Sequence, residues 1–137
     1  MSYASRKGYD GEVEMASYLN QVFSPFKFRF VRIGGIERNK KMLVGDVVLD
    51  HRTDPKELCF LRQYFLEAKK RSTIDLWRVI EETEKKAKLL NKWGTIVYAT
   101  KQGRGSKREG TIIAMTKETF ARIAKELQSY RTEDGTH

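Results

Sequence analysis

The chain has 137 residues, 39% hydrophobic and 11% aromatic, an ordinary globular composition with enough apolar side chains to bury the core of a single domain. Its 27 Lys and Arg against 18 Asp and Glu leave a formal charge of +9, which suits a polyanionic partner, nucleic acid or an acidic membrane surface. One cysteine, Cys59, excludes an intramolecular disulfide and a thiolate zinc cluster, and His51 and His137 leave little for a histidine site, so any metal would be held by oxygen, as magnesium and manganese are.

Residues from about Lys7 to Phe23 have helical periodicity and stop at the Ser24-Pro25 break. KFRFVRI (27–33), MLVGDVVLD (42–50) and ELCFLRQYFLEAKK (57–70) read as strands, with Asp54-Pro55 turning the chain between the last two. From Asp75 to about Lys92, residues Leu76, Val79, Ile80, Thr83, Ala87 and Leu90 recur at helical spacing after a capping region, Ser72 to Asp75. TIVYAT and TIIAM read as strands around a basic loop, and Thr116 caps a closing helix with Phe120, Ile123, Ala124 and Leu127 on one face. The expectation is one α/β domain over residues 1–130, helices on a mixed sheet, with an unstructured tail at 131–137. No apolar run approaches the roughly 20 residues needed to cross a bilayer, and the start MSYASRKGYDGE has no apolar signal core. A protein of the cytoplasm without a membrane partner is therefore expected.

Three acids stand where apolar residues are expected. On a helical wheel Glu12 falls between Leu19 and Phe23, in the middle of the apolar stripe, while Glu14 points the other way. A carboxylate there needs a partner or a function, unless the first turn frays into solvent. Asp46 opens the apolar strand of GDVVLD. Gly45 before it permits close backbone approach, although a turn acid has the same look. Asp50 lies about 13 Å further along, too far to share an ion with Asp46, and reads as a loop acid. In FLEAKKR, Glu67 and Lys69 share one face of a strand and Leu66 and Ala68 the other. Taken alone, that pattern is also a solvated face with a surface ion pair.

In order, a glutamate in the first helix, an aspartate opening a strand and E-x-K in the next strand resemble the PD-(D/E)xK nuclease superfamily. Within it, RKGYDGE (6–12), followed by VVLD and FLEAKK, resembles the archaeal-type Holliday junction resolvases, also found in some viruses and phages. The likeness spans about residues 6 to 100. It implies a restriction-endonuclease-like mixed sheet of about five strands flanked by helices, and a magnesium-dependent endonuclease, manganese substituting, that resolves four-way DNA junctions as a homodimer. The setting would be a prokaryotic cytoplasm or the cytoplasm of a virus or phage host.

Carried over by position, Glu12, Asp46 and Glu67 are the acidic metal ligands, with the backbone carbonyl of Ala68, and Lys69 is the catalytic lysine. Arg6 and Lys7 match basic residues that approach DNA. Gly45 replaces the usual proline or small apolar residue, the connection IGGIERNKKMLVG is long and lacks the serine often found there, and HRTDPKELCFLRQYF lengthens the gap to Glu67. These departures bear on the substrate more than on the chemistry.

Two basic loops would add phosphate contacts: ERNKK, with Arg38, Lys40 and Lys41, and KQGRGSKREG, with Arg104, Lys107 and Arg108. The second lacks G-x-x-x-x-G-K-[ST] and is no P-loop, and it also reads as a solvated hairpin tip. Tyr9, Trp77 and Trp93 suit base stacking, and equally core or dimer contacts. Two other readings stay open: a related nuclease acting on other branched or duplex DNA, and a noncatalytic nucleic-acid-binding protein whose acids form structural ion pairs.

Overall fold

The computed structural model describes residues 3–23, 30–32, 47–49, 59–103 and 108–134. Along them run helix α1 (Tyr3–Val22), strands β1 (Phe30–Arg32) and β2 (Val47–Leu49), a 3-10 turn (Cys59–Gln63), strand β3 (Tyr64–Arg71), helix α2 (Leu76–Leu89), strands β4 (Gly94–Gln102) and β5 (Arg108–Ala114), and helix α3 (Lys117–Asp134). The result is a mixed α/β layer structure, with helices on a mixed sheet hydrogen-bonded in the order β1-β2-β3-β4-β5. β3 and β4 run parallel, from Tyr64 opposite Gly94 to Arg71 opposite Lys101, and α2 is the crossover a parallel pair requires. The other neighbours are antiparallel, β2 meeting β3 at Val47 opposite Leu66.

The two faces of β3 are filled differently. Leu66 of β3 and Ile96 and Tyr98 of β4 bury against Met15, Ala16 and Leu19 of α1, with Ala68 packed alongside. Each such aliphatic side chain contributes about 2 kcal/mol through removal from water. Gly11 rests on the same face: a Cβ there would stand 3.4 Å from Lys70 Cβ and 3.8 Å from Ala68 Cβ, in ordinary van der Waals contact. Further along, the Asn20 amide donates to the Phe30 carbonyl at 2.9 Å and accepts from its N–H at 2.6 Å. The Phe23 and Phe30 rings meet at 5.9 Å. Helix α1 thus crosses the sheet from β3 to β1. Ile123 and Leu127 of α3 pack on the same core.

The opposite face belongs to α2, whose Val79 buries against Val97 and Ala99, joined by Ile74, Leu76, Ile80 and Ala114. Asp75 caps the helix, its carboxylate accepting from the Arg78 N–H at 3.2 Å. The helix stops because Asn91 adopts a left-handed conformation (φ 56°) that lets Lys92 N–H reach the Ala87 carbonyl at 2.8 Å and Asn91 N–H the Lys88 carbonyl at 3.2 Å. It therefore ends three residues short of the expected Lys92. Thr116 caps α3 as expected, accepting from the Thr119 N–H at 3.1 Å.

Four other expectations are corrected. The strand expected from residue 57 begins only at Tyr64, and residues 59–63 form the 3-10 turn, 57 and 58 lying outside the described residues. Phe60 and Leu61 are both buried in this turn. Carbonyls of this turn are held from elsewhere, Trp93 N–H donating to Gln63 at 2.6 Å and the Lys92 ammonium to Arg62 at 2.6 Å. On α3, Phe120 is 65% exposed and Thr119 takes the buried position, while Ile123 and Leu127 pack inward as expected. Finally, α3 runs to Asp134, four residues into the segment expected to be an unstructured tail, while 135–137 lie outside the described residues. Helix α1 begins at Tyr3, ahead of the expected Lys7.

Candidate functional site

Alternation along β3 decides where its charges go. With Leu66 and Ala68 turned to α1, Glu67 and Lys69 project from the α2 face, at the level of Val97 and Ala99 of β4. Glu67 is buried, 7% exposed, and its carboxylate lies 3.2 Å from the Lys69 ammonium. A shielded carboxylate costs several kcal/mol unless a cation or hydrogen-bond donors compensate it, and Lys69 does so from two residues along the same strand. This is a surface-accessible pair at its lysine end and a shielded one at its acid end.

Asp46 lies outside the described residues. Its chain neighbour Val47 pairs with Leu66, the chain neighbour of Glu67. Among the described residues no three His, Cys, Asp or Glu side chains gather into a metal-holding group. A hard ion would suit the oxygen donor Glu67, with Lys69 offsetting the acid's charge when no ion is bound. Glu67 alone is too few donors, so a fit depends on Asp46 supplying a second carboxylate and Ala68 its carbonyl.

Glu12 is buried as its place in the apolar stripe implies, 5% exposed. Its helix, however, lies across the α1 face, opposite the face that carries Glu67 and Lys69. The described structure thus brings Glu67 and Lys69 together, and Glu12 comes from the helix that packs on the opposite face of β3. Arg6 and Lys7 fall in the first turns of α1 and Arg108 opens β5, without described side chains; Arg38, Lys40, Lys41, Arg104 and Lys107 lie outside the described residues.

A second acid–lysine pair escaped sequence reasoning. Glu14, expected to point away, meets the Lys70 ammonium at 2.9 Å on the α1 face. The wheel misses it because α1 lies against β3 beside Lys70, where a residue on the flank of the stripe reaches the sheet. The signal available was the doubled lysine: in an extended strand, Lys69 and Lys70 must serve opposite faces.

No family model, curated protein or solved structure matches the chain.

Proposed function

We propose that this protein is a magnesium-dependent DNA endonuclease of the PD-(D/E)xK kind, with a restriction-endonuclease-like fold, acting on branched DNA and resolving four-way junctions by paired phosphodiester hydrolysis. The observation that carries the reading is the Glu67–Lys69 pair: a shielded carboxylate and a partly exposed lysine on one face of a central strand, beside the strand that Asp46 precedes. The net charge of +9 supports a polyanionic substrate.

Asp46 and Glu67, with the Ala68 carbonyl, would hold magnesium, or manganese in its place. The bound ion supplies charge neutralisation at the reacting phosphate and a more acidic water. Lys69 has two tasks. Before substrate arrives its ammonium offsets the Glu67 charge, and during hydrolysis it orients the attacking water and stabilises negative charge developing on the phosphate. Its flexible stem and partial exposure fit that exchange of partners. Glu12 stands in this proposal on the resemblance alone, because its helix covers the other face of β3.

Phosphate contacts are assigned to Arg6, Lys7, Arg38, Lys40, Lys41, Arg104, Lys107 and Arg108. A four-way junction has approximate two-fold symmetry and needs two cuts, whereas the described residues of one chain carry one such site at Glu67 and Lys69, so the acting species is a homodimer. The test is incubation of purified protein with a four-way junction, a flap and a linear duplex, with and without magnesium. Magnesium-dependent cleavage of the junction, made as two symmetric nicks, is expected; binding without cleavage of any of the three would replace the reading by a noncatalytic one.

A further inference from the structure

A second feature lies at the other end of the central strands. Trp93 immediately precedes β4, whose first residue Gly94 pairs with Tyr64 at the start of β3. Lys69 is five residues further along β3, about 17 Å away at the rise of a strand. The indole is fixed from behind: the Tyr64 ring meets it edge-on at 6.0 Å, and the Arg122 guanidinium lies 4.4 Å from its centroid. In front of it opens a cavity of about 400 Å³ lined by Glu81, Glu84, Lys85, Lys88, Lys92 and Trp93. Arg122 does not line that cavity, whereas the indole does.

The polar groups of the lining are partly committed. Glu84 accepts from the Thr95 N–H at 3.1 Å, and Glu81 pairs with Lys85 at 3.6 Å. The Lys92 ammonium is anchored by one hydrogen bond to the Arg62 carbonyl, leaving donors for another partner. A flat aromatic wall with Lys88 and Lys92 beside it matches a ligand that joins a planar ring to an anion. We propose that this cavity binds one nucleotide unit of a nucleic-acid strand, its base stacked on Trp93 and its phosphate held by Lys88 and Lys92. Stacking on an indole is tolerant of base identity, and pre-fixing the ring lowers the ordering cost of binding. The assignment rests on the nucleic-acid reading of the protein and is independent of the Glu67–Lys69 chemistry; it gives the protein a strand contact remote from the cut.

The experiment uses the full chain carrying Trp77→Phe, which leaves Trp93 as the one tryptophan. Its fluorescence is titrated, without magnesium, with a labelled single-stranded oligodeoxynucleotide whose anisotropy is read in parallel, and separately with a deoxynucleoside monophosphate and with inorganic phosphate. Saturable quenching of Trp93 that tracks the anisotropy is expected. Trp93→Leu should weaken oligonucleotide binding roughly ten-fold. Lys88→Gln, an exposed change that leaves the fold intact, should reduce the slope of log affinity against log salt by roughly one. Anisotropy that saturates with Trp93 unchanged and a Lys88→Gln slope equal to the parent's overturns the site while leaving the nuclease reading standing. Equal quenching by the monophosphate and the oligonucleotide at equal affinity overturns the assignment to a strand. Absence of any oligonucleotide binding at low salt removes this site and the nucleic-acid reading together.

Discussion

Lys70 of β3 and Glu14 of α1 meet at 2.9 Å, with only 10% and 22% of their side chains exposed, directly behind the strand position where Lys69 holds Glu67. Two neighbouring lysines thus serve opposite faces of one strand, one joining helix to sheet and the other forming the candidate site. Breaking a shielded, hydrogen-bonded pair by removing one partner leaves the other charge poorly solvated. Lys70→Met is expected to lower unfolding stability by about 2 kcal/mol in urea titration with an unchanged denaturant slope. A cycle with Glu14→Gln should show coupling above about 0.5 kcal/mol, and additive effects would mean that the contact contributes nothing.

Tyr64 provides a pH-dependent test of the lower core. Burial raises its pKa above the ordinary value near 10; Arg122 opposes that shift and Glu126 adds to it. A raised folded-state pKa means that the folded protein keeps the phenolic proton longer than the unfolded chain. Its contribution is therefore fully present below about pH 10 and is lost as pH rises through the raised folded value. Among the described residues the buried hydroxyl has no hydrogen-bond partner. Tyr64→Phe should thus cost less than about 0.5 kcal/mol at neutral pH and flatten the alkaline loss of stability. Lys92, lowered by burial, acts in the opposite sense: its unfavourable effect fades as pH rises towards its unfolded pKa near 10.4. A Tyr64→Phe profile parallel to the parent's above pH 10 would assign the alkaline transition to other groups.

The fold was legible wherever local chemistry and packing agree. Asp75 and Thr116 cap helices because their side chains can bond the first free N–H groups whatever surrounds them. Alternation in FLEAKKR placed Glu67 and Lys69 together because a pleated strand leaves no other choice. The failures share a tertiary cause. Phe60 and Leu61 are both buried because carbonyls in their turn are satisfied by Lys92 and Trp93, about 30 residues away, which no local window contains. Periodicity puts Phe120 in the buried stripe, but Thr119 faces inward against Gly94, where a Cβ would collide with its hydroxyl. Burial of Glu12 is legible from the wheel; the side of β3 on which its helix packs is not, since no local pattern fixes it.

Salt dependence tests the assigned phosphate contacts. If Arg6, Lys7 and the two basic loops neutralise phosphates, log affinity should fall steeply with log salt, and replacing Arg104, Lys107 and Arg108 by glutamine should flatten the slope by roughly two to three. The measurement is a fluorescence-anisotropy titration of a four-way junction at several salt concentrations without magnesium. An unchanged slope in the triple variant removes that loop from the interface.

The paired-cut assignment is checked on a supercoiled plasmid with an extruded cruciform. A homodimer with two sites should produce linear plasmid within the lifetime of one complex, whereas independent nicking accumulates open circles first. Sedimentation as a monomer together with open circles alone would contradict the resolvase reading and leave a nicking nuclease.

The most direct measurement is single-turnover cleavage of a four-way junction with magnesium by Lys69→Met and Lys70→Met, each at a temperature where circular dichroism shows it folded. If the α2 face of β3 is catalytic, Lys69→Met slows cleavage by more than about 100-fold while junction affinity stays within a few-fold, and Lys70→Met, though less stable, cleaves within a few-fold of the parent. Full activity in Lys69→Met would contradict the assignment of the Glu67–Lys69 pair as the site of chemistry.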